Sequence, residues 1–187
     1  MNDILFVAAV DGEVSQLPDG VDLLITGIGT VNAAIALTER LAVGPRPARV
    51  VNLGTVGALR DGLDGVFEIG SVRKHDFNLL IESDIHRYLL PEVIELEVSG
   101  KFSVQGLATG DTFVTDTVTR NRLAVDSGLV DMEGYSLAAV CQRFGVPLTM
   151  LKQVSDPANE ETIGKWASSL DRAAHELADA ARVLGFL

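Results

Sequence analysis

Apolar residues come along this chain in short runs separated by glycine-rich and acidic turns, and helical spacing fills several of the gaps. The segments Ile4–Ala9, Asp22–Thr26, Arg49–Leu53, Lys101–Ala108, Val130–Met132 and Pro147–Val154 read as strands. Several are apolar throughout, as expected for a sheet covered on both faces. Val31–Val43 has helical spacing through Val31, Ala34, Ile35, Leu41 and Ala42. Gly134–Phe144 repeats it with Leu137, Ala138, Cys141 and Phe144, and Glu160–Leu184 with Trp166, Leu170, Ala173, Leu177 and Leu184. Strands joined to helices by short glycine-containing turns predict a layered α/β fold. Between Gly70 and Val98, strand-like pieces mix with Pro91, which predicts irregular or antiparallel structure.

Composition narrows the class. A chain of 187 residues with 47% hydrophobic and 22% charged content fits one globular domain spanning residues 1–187. No repeat or linker marks an internal boundary. The formal charge of −11 disfavours nucleic acid and anionic membranes as partners. Cys141 is the only cysteine, so no intrachain disulfide forms, which suits a reducing cytoplasm. The apolar run Ile4–Val10 follows Asp3 and is short, so it reads as a buried strand and not as a signal peptide or membrane span.

Chemistry gathers where these strands end. Asp11-Gly12-Glu13, Gly27-Ile28-Gly29, Gly54-Thr55-Val56-Gly57, Gly110-Asp111-Thr112-Phe113, Met132-Glu133-Gly134 and Ser155-Asp156 each follow or close a strand. In open α/β sheets ligands bind beyond the carboxyl ends of the strands, so these segments are expected to converge on one site. Structural roles compete with that reading. The glycines can serve turns alone, Glu13 can be one more solvated acid, and Asp156 before Pro157 suits a helix N-cap. Glu133 has the weakest structural rival, because a buried carboxylate without a task is costly. Gly27 and Gly29 form no dinucleotide fingerprint: Asn32 holds the third glycine position, and no acid ends the next strand.

The strings Gly27-Ile-Gly-Thr-Val-Asn-Ala-Ala34, Asn52-Leu-Gly-Thr-Val-Gly-Ala-Leu59, Gly110-Asp-Thr-Phe113, Asp131-Met-Glu-Gly134 and Ser155-Asp156 resemble the signatures of the purine nucleoside phosphorylase and nucleosidase family, in family order. Within it, the pattern is most similar to the nucleosidases of 5′-methylthioadenosine and S-adenosylhomocysteine. The resemblance implies a three-layer αβα sandwich around a twisted mixed sheet, a homodimer, and a small-molecule nucleoside substrate without cofactor or metal. It implies that Asp156 is the acid at purine N7 and that Glu13 orients or activates the attacking water. Met132 and Glu133 would hold the ribose, Phe113 would stack on the base, and the backbone of Val114 would read its edge. Thr55, Val56, Gly57 and Ser155 would line the site.

Those roles suit cleavage of an N-ribosidic bond. The sugar becomes oxocarbenium-like and the base leaves as an anion unless it is protonated, so Asp156 must carry a proton to act. Phosphorylases of the family bind phosphate with arginine. Leu53 stands where one is placed, Asp11–Gln16 holds none, and Glu13 would repel a phosphate. Water is thus the expected nucleophile. A phosphorylase, a futalosine-type nucleoside hydrolase and a non-catalytic nucleoside binder stand as alternatives. The chain departs from the family in Gly12, in the bulk of Val56, in Lys152 where arginine is frequent, and in a compressed segment between His75 and Ala108. His75, His86 and His175 lack metal-ligand spacing and are expected at structural or surface positions. Cys141 falls on an apolar helical stripe and reads as core.

Overall fold

The computed structural model describes residues 3–77 and 88–187. His86 lies outside the described residues. The elements are β1 (Ile4–Ala8), a short 3-10 turn (Asp11–Val14), β2 (Asp22–Ile25), α1 (Thr30–Ala42), β3 (Arg49–Ala58), β4 (Val66–Lys74) and β5 (Val93–Glu95). They continue with β6 (Val104–Thr109), α2 (Thr117–Leu123), β7 (Leu129–Asp131), α3 (Gly134–Phe144), β8 (Leu148–Asp156) and α4 (Lys165–Val183).

The strands form one mixed sheet in the order β2-β1-β3-β7-β6-β4-β5, with β8 pairing both β3 and β4. β3 runs parallel to β1 and β8 but antiparallel to β7. Apolar side chains alternate between the two faces of β3 and β8. Val50, Val56, Met150 and Val154 pack with Leu37 of α1 and Leu137 and Cys141 of α3. Val51, Leu53 and Leu151 pack on the other face with Phe6 of β1 and Leu177, Ala180 and Ala181 of α4. Helices thus cover both faces, giving the αβα layering expected from the continuous apolar runs.

Several sequence readings change in detail. In α1 the buried stripe is Ala33, Leu37 and Leu41, whereas Val31 and Ile35 are 65% and 53% exposed. The apolar residues of this helix occupy more than one face, so of the stripe read from spacing only Leu41 is fully buried. α4 starts at Lys165, not Glu160, and Gly164 with φ 93° precedes it. β3 does not stop at Leu53 but continues to Ala58, so Gly54-Thr55-Val56-Gly57 is strand and not loop. Its glycines answer close approach. A Cβ on Gly54 would stand 2.9 Å from Lys152 Nζ, and one on Gly57 would stand 2.9 Å from Ala158 Cβ. Within the described part of Gly70–Val98, β5 pairs antiparallel with β4, as anticipated.

Candidate active site

The segments at the strand ends enclose a cavity of about 330 Å³, within the size range of small-molecule sites. Glu13, Thr55, Val56, Gly57, Phe113, Val114, Met132, Glu133, Ser155 and Asp156 all line it. Every site residue expected from sequence is therefore brought to one place.

Glu13 is no solvated acid. The 3-10 turn after β1 buries it to 4% exposure and points its carboxylate at β3. Oε1 accepts from Thr55 N and from Thr55 Oγ1, both at 2.7 Å, and Oε2 accepts from Ala9 N at 3.2 Å and Val10 N at 3.4 Å. All these groups donate to it, which fixes it as an acceptor.

Glu133 follows β7 at the start of α3 without capping that helix; Asp131 Oδ2 accepts from Gly134 N at 2.9 Å instead. The Glu133 carboxylate reaches across the cavity rim and accepts from Gly29 N at 2.7 Å. Gly29 has φ 101°, a conformation open to glycine and costly for other residues, so this glycine serves both the turn and the site. Burial, reinforced by the charge of Asp131 and opposed by Lys152, pushes the Glu133 carboxyl up to about 7. Its titration has a defined sign. The unfolded chain releases this proton near 4.5 and the folded protein near 7, so the folded state holds more protons in between and loses stability as pH rises through that window. Glu133→Gln is expected to flatten that decline in thermal melts recorded across the window. The same slope in both proteins would contradict the assignment.

Asp156 ends β8, and α4 begins only at Lys165, so the helix-cap reading does not hold. Its Oδ1 accepts from Ala158 N and Thr162 Oγ1, both at 2.9 Å, and Oδ2 accepts from Ser155 Oγ at 2.7 Å. These bonds fold the Asp156–Thr162 turn around the carboxyl. Oδ2 has Ser155 as its single hydrogen-bond partner among the described residues.

Sequence reasoning missed an ion pair beneath the cavity. Lys152 Nζ lies 2.9 Å from Asp131 Oδ2, with side-chain exposures of 2% and 1%. Asp131 also accepts from Thr109 Oγ1 at 2.6 Å. Burial opposes charge on Lys152, but Asp131, Glu133 and Glu13 outweigh it and hold its pKa above the ordinary range. The available signal was a lysine in the middle of the apolar run Leu148–Val154, which demands a buried partner. Trp166 was also missed as a site residue. Read as part of a helix stripe, it lines the cavity and donates from Nε1 to Thr55 Oγ1 at 2.9 Å.

Asp111 has a structural task. It accepts from Thr30 N at 2.7 Å and Thr30 Oγ1 at 2.5 Å, which ties the Phe113 segment to the start of α1 and holds its own carboxyl below the usual range. His75 packs beside Gly110, and burial lowers its pKa. His175 is exposed on α4, and Cys141 is core, its thiol pushed up to about 12 by burial.

The fold is thus a mixed sheet covered on both faces, with a carboxylate-lined cavity at its strand ends. A family model described as the phosphorylase superfamily matches residues 102–185. The 5′-methylthioadenosine/S-adenosylhomocysteine nucleosidase of Bacillus cytotoxicus is 31% identical over 176 aligned positions, covering 81% of this chain and 74% of that protein. The enzyme of the same name from Bacillus pumilus is 32% identical, again covering 74% of its length. Among solved structures, the Helicobacter pylori nucleosidase with 5′-methylthioadenosine in its active site superposes with a TM-score of 0.82 at 22% identity, covering 99% of this chain and 98% of that one. A futalosine hydrolase mutant from the same organism gives a TM-score of 0.82 at 21% identity, covering 99% of each chain. The chain belongs to the 5′-methylthioadenosine/S-adenosylhomocysteine nucleosidase family.

Proposed function

We propose that residues 1–187 act as one domain that hydrolyses the N-ribosidic bond of a 5′-substituted adenosine. The observation that carries this reading is the convergence of Glu13, Glu133 and Asp156 on a single cavity. Asp156 protonates the base at N7 from Oδ2. Glu13, fixed as an acceptor, takes hydrogen bonds and then a proton from the attacking water. Glu133 accepts from the ribose hydroxyls beside Met132, and Phe113 stacks on the base while the Val114 backbone meets its edge.

Spacing along β3 supports the division of labour. Glu13 is anchored at Thr55, and Asp156 stands beside Gly57. Those stations are two residues apart, about 7 Å on a strand. Inverting glycosidases likewise set two carboxyl groups about a scissile bond with room for a water between them. Protonating the leaving base contributes about 10²–10⁴-fold.

Water is favoured over phosphate as nucleophile. No arginine or lysine of the described residues lines the cavity, and Lys152 beneath it is paired with Asp131. A phosphate dianion would meet Glu13 without a cation to hold it. The same reading has the protein work in the cytoplasm as a homodimer. Its single cysteine suits that reducing compartment. The exposed Val31 and Ile35, one turn apart on α1 near the cavity residue Ile28, support a covered face in the dimer.

Base release from a panel of adenosines with different 5′ groups, together with a futalosine-type nucleoside, tests the reading. Adenine is expected from 5′-thio-substituted adenosines. Tight binding of the panel without release of any base would point to a nucleoside binder instead.

A further inference from the structure

From the geometry of the first turn of α4 we infer that Trp166 is a positioning residue for Glu13, acting through the Thr55 hydroxyl. The inference rests on the proposed role of Glu13 in handling water. An indole N–H can only donate, and a threonine hydroxyl has one hydrogen and two lone pairs. Trp166 Nε1 donates to Thr55 Oγ1 at 2.9 Å, and Thr55 Oγ1 lies 2.7 Å from Glu13 Oε1. With Trp166 on one of its lone pairs, the hydroxyl has its hydrogen directed at the carboxylate. The chain runs one way: indole to hydroxyl to Glu13. Such donors in series polarise one another and strengthen the last bond.

The packing of α4 holds this relay in place. Leu170, one helical turn after Trp166, abuts Gly12, where a Cβ would stand 3.2 Å from Leu170 Cδ1. The absence of a side chain at Gly12 lets α4 approach the turn that carries Glu13. Leu170 thus seats the helix on that turn while Trp166 reaches past it to Thr55. Thr55 N also donates to Glu13 Oε1, so one carboxylate oxygen takes two bonds from the same residue, and only the hydroxyl one depends on α4.

Trp166→Phe keeps an aromatic wall and deletes the donor. It is expected to lower kcat for adenine release about tenfold, the factor for one hydrogen bond of ordinary strength, with KM within about twofold. Thr55→Val removes the middle of the relay and should cost at least as much. The double variant should then fall no further than Thr55→Val alone, because both changes break one path. Full kcat in Trp166→Phe, a change confined to KM, or losses that multiply in the double variant would each overturn the relay and leave Trp166 as wall only.

Trp166 is the only tryptophan, so its indole N–H gives a single nuclear magnetic resonance signal that reports the bond without catalysis. Thr55→Val and Glu13→Gln are both expected to move that signal. If the wild-type protein released no base, the proposed function would fail by itself. The relay would still be decided by that signal: its staying unmoved in Glu13→Gln would refute the link.

Discussion

Asp156→Asn is expected to lower kcat by about 10²-fold or more and to leave the fold in place. The asparagine carbonyl can accept the bonds that Oδ1 now takes from Ala158 N and Thr162 Oγ1, and its amide can donate to Ser155 Oγ in place of the present contact. The turn from Asp156 to Thr162 should therefore survive. An amide can donate a hydrogen bond to a purine nitrogen but cannot deliver a proton, so only the chemical step suffers. Steady-state kinetics beside a thermal melt separates the two effects. A variant with full activity would remove Asp156 from the acid role.

Lys152→Met is expected to cost about 3–5 kcal/mol of stability at neutral pH, the usual penalty for stripping one partner from a buried ion pair. Methionine matches the lysine stem in length and leaves no large void. What it leaves is Asp131, with 1% of its side chain exposed, together with Glu133 and Glu13 and without the cation that offset them. Urea denaturation of both proteins at neutral pH measures the loss. A difference below about 1 kcal/mol would show that the pair contributes no more than a surface bridge.

Much of this architecture is legible in the sequence where apolar runs are short and bounded. β1, β2, β7 and β8 lie within a residue or two of their expected limits, and α3 matches its limits, because one face or both are apolar there. β4 was not singled out. Its buried Glu68, with Gly70 and Ser71, breaks the alternation, and Glu68 is tolerated only because Ser99 and Gly100, distant in sequence, donate to it. The same logic hid the end of β3, whose glycines mark the approach of Lys152 and Ala158 and not a turn.

The site divides along similar lines. Glu13 and Glu133 were legible as acids beside glycines at strand ends, and Asp156 as an acid that closes the last strand. Trp166 was not, since a tryptophan in a helical stripe carries no sign that its indole will meet a hydroxyl on β3. Lys152 was visible as a departure from the family, but its pairing with Asp131 depends on how β8, β3 and β7 lie together in the sheet.

The most direct test of hydrolysis is the sugar product formed from 5′-methylthioadenosine in the presence and absence of inorganic phosphate. Adenine and free 5-methylthioribose should appear at the same rate in both. A sugar 1-phosphate formed only with phosphate, or no cleavage in either, would contradict it.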